Sequence, residues 1–233
     1  METSVKPFSG LTGNQLKLIA LLSMTIDHIG YILYPEREWM RILGRLAFPI
    51  FAYMIAEGAR YTRSRKKYFL LMFGFGAAFQ VFSFFAMDSL FQSSLITFSF
   101  SILLIYALDL AMTRKNIDAW MLFALVFIAV FFLVYILPFL LPETDYAIDY
   151  GIWGVLFPVF VYLGGKNKWA KLALCVIPLV FLSVSYIHQE YALFSLVPLA
   201  LYNGKRGKWK MKYLFYIYYP AHLAVIHLVG LFL

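Results

Sequence analysis

Charge is scarce in this chain. Of its 233 residues only 14% are charged and 63% are hydrophobic. A soluble domain carries about 25% charged residues, so the composition excludes a soluble globular protein and a disordered one. Cysteine is scarcer still. Cys175 stands alone, inside an apolar run, which excludes a disulfide framework and a Cys-rich metal centre. The four histidines are scattered and no HExxH occurs, so no metal site is expected. Long polar stretches are also missing, and with them any soluble domain. No heptad array, soluble repeat or inverted repeat of the transporter type stands out. The first apolar run follows a polar stretch and ends in Asp-His without a small-residue cleavage site, so it does not read as a cleavable signal.

What is present is a series of apolar runs about 20 residues long, the length a helix needs to cross a bilayer. The reading is an all-α, polytopic integral membrane protein forming one domain over residues 1–233. About nine transmembrane helices are expected, with eight and ten as alternatives. They fall near 15–34, 39–60, 67–87, 94–112, 119–140, 150–164, 169–187, 189–203 and 212–232. The sixth and eighth are short and carry Pro158 and Pro198, so either could be tilted, half-inserted or broken. The fifth is almost wholly apolar and is expected to face lipid.

The net charge of +8 does not point to nucleic acid, because the basic residues are confined to alternate loops. With a cytoplasmic N-terminus, 17 of the 20 Lys and Arg fall on the inner side, and only Arg37, Arg41 and Arg45 fall outside. The outer loops are acidic, as in 142-PETDYAID-149. The positive-inside rule therefore gives an N-terminus inside and a C-terminus outside.

Ionisable residues inside spans are costly and mark functional sites by default. Asp27 and His28 lie in the outer half of the first span. Adjacent helix positions point about 100° apart, so Asp27 does not simply orient His28. Arg45 lies at comparable depth on the second span and is the natural partner for Asp27. Arg41, Arg45, Phe48, Pro49 and Ala52 share one helix face, and Pro49 is expected to kink it. Further in, Glu57 and Arg60 could form a local ion pair. On the last span, Tyr218 and Tyr219 lie one turn before His222, on its face. His227 is close enough to the outer end to be solvated. Asp109 reads as a snorkelled surface residue. A neutral histidine at such depth can act as a general base near pH 7; a buried packing role for His28 is the bland alternative.

Two inner loops, 60-RYTRSRKKY-68 and 203-NGKRGKWKMKY-213, are densely basic. They suit anionic lipid head groups, or the phosphates of a nucleotide-type donor with Tyr61, Trp209 or Tyr213 stacking on its base.

The segments 15-QLKLIALLSMTIDHIGYIL-33, 41-RILGRLAFPIFAYMIAEGARYTRSRKKY-68 and 215-FYIYYPAHLAVI-226 resemble the TraX family. The DHIG, GRLAFPIFAY and YYPAHL motifs carry the likeness in the expected order, while the middle of the chain matches only as apolar spans. TraX proteins are named for an acetylase of conjugative pilin and are similar to the wider transmembrane acyltransferase superfamily. The resemblance implies a multi-pass protein of the bacterial inner membrane that takes an acyl group from cytoplasmic acetyl-CoA. The group would go to an amine or hydroxyl of a cell-surface, exported or membrane acceptor. It implies His28 as the catalytic base, Asp27 as its companion and Arg45 as a structural or oxyanion-side cation, with Tyr219 and His222 in a shared cavity. Glu57, Arg60, Tyr61, Arg63, Lys66, Lys67, Lys208 and Lys210 would lie toward the donor. The expected partners are acyl-CoA, membrane lipids and an outer-side acceptor, with a homodimer as an option.

His28 and His222 both remain candidates for the base, and direct transfer and an acetyl-His28 intermediate both remain open. Two other functions compete. Asp27, His28 and Arg45 could be the relay of a proton-coupled transporter, or the aromatic-rich spans could serve a non-catalytic assembly factor.

Overall fold

The computed structural model describes residues 10–209 and 214–232, and Lys210 lies outside them. The described residues are helical, with two isolated bridges and no strand. Helix α1 (Gly13–Ile32) begins at a capping box: Gln15 N–H donates to the Thr12 hydroxyl, and Thr12 N–H donates to the Gln15 side chain at 2.8 Å. These bonds satisfy two amides that a helix start otherwise leaves open. Helices α2 (Glu38–Gly44) and α3 (Ala47–Tyr61) run almost continuously, broken at Arg45 and Leu46. A proline ring crowds the carbonyl four residues back. For Pro49 that carbonyl belongs to Arg45, so the expected kink sits one turn upstream of the proline.

Ser64 caps α4 (Arg65–Met87), which ends at the left-handed Asp88. Helix α5 (Ser94–Arg114) is central and packs on α3, α4, α6 and α8. Asn116 caps α6 (Ile117–Phe131), which passes through a π-helical turn (Phe132–Ile136) into α7 (Leu137–Leu140). Pro138 accounts for that turn in the same way, because its ring crowds the Val134 carbonyl. Helices α8 (Gly151–Leu163) and α9 (Lys168–Ser185) pack closely, with Trp153 stacked on Phe181 at 3.8 Å. A 3-10 helix (Gln189–Ser195), α10 (Leu196–Ala200) and α11 (Leu214–Gly230) complete the chain.

The expected nine spans are not supported. Among the described residues, five helical stretches are long and apolar enough to cross a membrane: Glu38–Tyr61, Arg65–Met87, Ser94–Arg114, Ile117–Leu140 and Lys168–Ser185. The chain is therefore a membrane protein, with fewer qualifying helices than its apolar runs suggest. Helix α8 has 13 residues, about 20 Å at 1.5 Å per residue, against a hydrocarbon core of about 30 Å. The proposed eighth span is a 3-10 turn and five α-helical residues. Helix α1 has the length, but Asn14, Gln15, Lys17, Asp27 and His28 dilute its apolarity.

The Ile117–Leu140 stretch is only 11% buried within the protein and the Ser94–Arg114 stretch 67%. The first lies on the outside of the helical body and the second forms the core.

Contacts sort the loops into two ends. Leu11 N–H donates to the Leu201 carbonyl, Arg65 meets Asp109, and Arg60 reaches the Tyr162 carbonyl, all at one end. At the other, Gln92 bridges to Ile148, Ser89 meets Asp145, and Arg45 meets Gln189. The basic loops share the first end and the acidic loops the second.

Candidate active site

Helices α1, α2 and α11 build the site. The Asp27 carboxylate takes two arginines, Arg45 at 2.6 Å and Arg41 at 2.9 Å. The Arg41 guanidinium also donates to the Asp27 carbonyl at 3.2 Å. This contact needs α1 and α2 to approach closely, and Gly44 permits it. A Cβ on Gly44 would sit 2.2 Å from Asp27 Oδ1. Three of the five Arg45 N–H groups are engaged: besides the bond to Asp27, Nε donates to the Arg41 carbonyl at 3.1 Å and one Nη to Gln189 Oε1 at 3.3 Å. With those bonds Arg45 fastens three elements together.

His28 faces away from that cluster. Its Nδ1 lies 2.8 Å from Nε2 of His222, and His222 Nδ1 lies 2.7 Å from the Tyr218 carbonyl. The hydrogen positions follow from the network. A carbonyl only accepts, so His222 Nδ1 carries the proton. In a neutral ring, Nε2 of His222 then accepts, and His28 Nδ1 must donate to it. His28 Nε2 is left with its lone pair, the nitrogen a general base needs.

A second link holds the two helices together. Thr25 gives its hydroxyl proton to the Leu21 carbonyl at 2.8 Å, so the Tyr218 hydroxyl, 2.7 Å away, donates to Thr25. Tyr218 also stacks on His222, with ring centroids 5.1 Å apart.

A cavity of about 500 Å³ runs from the basic end toward this pair. Its mouth is lined by Asn14, Lys17, Tyr61 and Arg206, its middle by Glu57, Met54 and Phe215, and its deep end by Met24, Ser94, Phe98 and Tyr219. Met24 is one turn before His28, and the Tyr219 ring meets that of His222 at 6.0 Å.

Of the residues expected at the donor side, Glu57, Tyr61 and Tyr219 line the cavity. Arg60, Arg63, Lys66, Lys67 and Lys208 are not among its lining residues. Lys66 and Lys67 border a separate surface hollow, and Arg60 lies over the Tyr162 ring at 4.2 Å.

The local pair expected between Glu57 and Arg60 is replaced by a distant one. Glu57 binds Lys171 at 2.5 Å, both side chains under 10% exposed. Asp109 is not a free surface carboxylate, since Arg65 holds it at 2.5 Å and the Tyr162 hydroxyl at 2.6 Å.

A residue that composition hid is Asp149. The run 142–149 reads as a solvated acidic loop, yet its end turns inward. Asp149 N–H donates to the Gln92 carbonyl at 3.0 Å, and the Asp149 carbonyl accepts from Thr97 at 2.8 Å. Burial pushes the Asp149 carboxyl up while Arg45 pulls it down, and Ser94 lies between it and Tyr219. The other end of the loop stays wet. There the Ser89 hydroxyl and the Leu90 N–H hold the Asp145 carboxyl below the usual range.

A family model described as TraX protein matches residues 12–230, nearly the whole chain. The chain belongs to the TraX family. A relative matched over nearly its full length is a probable fimbrial assembly protein FimC, serogroup H1, of Dichelobacter nodosus. It is 27% identical over 250 residues, covering 94% of this chain and 96% of its own length. An uncharacterized protein of Rickettsia prowazekii (strain Madrid E), RP591, is 58% identical over 38 residues, 16% of this chain and 15% of that one. No solved structure matches. The segments that carry the resemblance coincide with the site: DHIG supplies Asp27 and His28, GRLAFPIF supplies Gly44 and Arg45, and YYPAHL supplies Tyr218, Tyr219 and His222. Among the described residues no cluster of His, Cys, Asp or Glu could hold a metal ion.

Proposed function

We propose that this chain is a membrane-embedded acyltransferase of the bacterial inner membrane. It moves an acetyl group from acetyl-CoA, entering at the basic cytoplasmic end, to an amine or hydroxyl presented from the acidic side. The observation that carries the reading is the His28–His222 pair, whose hydrogen bonding leaves His28 Nε2 as an acceptor, one helical turn beyond Met24 in the wall of a cavity whose mouth is basic.

His28 Nε2 removes the acceptor's proton as the amine or hydroxyl attacks the thioester carbonyl. The Tyr219 hydroxyl, on the cavity wall, is the donor available to the tetrahedral oxyanion. Collapse expels the CoA thiolate, which takes the proton back from the His28 imidazolium. His222 acts through His28 by holding its tautomer. Asp27 and Arg45 set the depth and angle of α1 against α2, so they position the base without touching substrate.

The test is titration of the purified full-length protein with acetyl-CoA and free CoA, followed by thiol release in the presence of added amines and sugars. His28→Ala is expected to keep CoA binding and lose about 10²–10⁴ in turnover, the range of a general base. Intact, folded protein that binds neither acetyl-CoA nor CoA refutes the reading.

A further inference from the structure

We propose that Lys17 and Arg206 form a diphosphate-binding site at the cavity mouth, which holds the nucleotide end of the donor. The proposal rests on the acyltransferase reading and deepens it, because it selects one cation of the second basic loop and one of α1 in place of the dense 60–68 cluster.

The first ground is electrostatic. The other cations described inside the helical body are matched. Arg41 and Arg45 share Asp27, and Lys171 has Glu57. Lys17 and Arg206 both line the cavity and lie in each other's field, so they repel. Neither forms an ion pair among the described residues. Glu57, the carboxylate on the same cavity wall, is already taken by Lys171. Two like charges facing one partly enclosed space cost free energy that a dianion entering it offsets. The Lys17 ammonium lies 4.9 Å over the Phe215 ring, which holds it on the cavity wall.

The second ground is construction. The loop carrying Arg206 is fastened to the start of α1. Gly13 N–H donates to the Lys205 carbonyl at 2.8 Å, Asn14 N–H to the Arg206 carbonyl at 2.9 Å, and the Asn14 side chain to the Trp209 carbonyl at 2.9 Å. The backbone of Arg206 is thereby fixed one turn from Lys17. The first amides of α1 are consumed by these bonds, so the charge at the mouth comes from the two side chains.

The third ground is length. Eleven residues of one helix separate Lys17 from His28, a rise of about 16 Å. A pantetheine arm runs through about 13 chain atoms between phosphorus and sulfur. That equals roughly four extended residues, or about 15 Å. Phosphates held at Lys17 therefore put the thioester at the level of His28. The loop cations Arg63, Lys66 and Lys67 do not line this path.

A lipid phosphate shares the chemistry of a nucleotide diphosphate, so the experiment separates the two. Full-length protein is purified into nanodiscs of neutral lipid, with and without phosphatidylglycerol. It is then titrated with CoA, ADP and pantetheine. The variants are Lys17→Gln, Arg206→Gln, the double variant, Lys17→Arg as the charge-keeping control, and Lys166→Gln/Lys168→Gln as a surface pair with the same charge change. Each single variant is expected to weaken CoA and ADP about tenfold or more, the scale of a charge-assisted bond. Pantetheine should bind as to wild type, and Lys17→Arg and the surface pair should be nearly unchanged. The ligand-free double variant should melt at or above the wild-type temperature, since it loses a repulsion; a merely structural pair would melt lower. CoA binding by wild type that the double variant keeps in full overturns the proposal and leaves the acyltransferase reading standing. Retention of phosphatidylglycerol that the double variant loses, with CoA affinity unchanged, overturns it in favour of a lipid. Wild type that binds no CoA overturns both.

Discussion

Asp27→Asn is the most informative single change in this structure. The substitution keeps the side chain's shape and removes one charge, leaving two guanidinium groups without the carboxylate they share. Arg45 suffers most. Its side chain is 10% exposed, against 26% for Arg41, so water screens Arg41 more effectively. Breaking a buried ion pair by neutralising one partner costs about 3–5 kcal/mol. The partial exposure of Arg41, and the Gln189 and Arg41 carbonyl bonds that Arg45 keeps, favour the lower part of that range. For a chain of this size each kcal/mol moves the melting temperature by about 2–4 °C, so Asp27→Asn should melt about 6–16 °C lower in detergent, read by tryptophan fluorescence. Asp27→Asn/Arg45→Gln should recover part of that loss, because the stranded buried charge is gone. A single variant melting with wild type, or a double variant melting well below the single, would refute the account of Asp27 as the joint between α1 and α2.

Three further outcomes are expected. Gly44→Ala forces a methyl against the Asp27 carboxylate and should cost about 1–3 kcal/mol by overpacking, measured in the same melt; an unchanged melt contradicts the close approach. Lys171→Met strands the buried Glu57 and should destabilise strongly, whereas Glu57→Gln/Lys171→Met should regain most of the loss, a recovery that a local Glu57–Arg60 pair would not give. Asp145 has a lowered carboxyl pKa in the folded state, so its bonds to Ser89 and Leu90 stabilise at neutral pH and fade as pH falls through and below the ordinary carboxylate range. The melting difference between wild type and Asp145→Asn should vanish there, and a difference that grows in acid would reverse the sign.

Sequence made one contact legible because depth alone decides it. Asp27 and Arg45 sit at matching heights on consecutive helices, and a buried charge needs a partner. Arg41 was visible as a neighbour on the same face, though not as the second ligand of one carboxylate. The pairing of His28 with His222 was hidden. Periodicity places each on its own helix, and only the packing of α1 on α11 turns two rival bases into one base and its holder. Glu57 misled for a related reason, since i, i+3 spacing advertises Arg60 while Lys171 is 114 residues away. Asp149 was masked by its acidic neighbours, because composition cannot show that a loop's last turn folds inward. The span count failed where apolar runs are too short or too polar to cross alone, at α8, at α10, in the described part of α11 and in α1.

The stitching of α1 to the 203–209 loop and to α11 sets an order of assembly. Among the described helices α1 is made first, yet the partners of Asn14 and His28 and the second partner of Thr25 are made some 190 residues later. Until then Asn14 and His28 lack these partners, and the modest apolarity of the helix gives it little reason to settle in lipid alone. Its firm seating therefore waits until α11 is made, and a chain ending before Tyr218 and His222 should leave the first helix more open to proteolysis. The same bonds that hold the proposed base in place also join the first and last of the described helices.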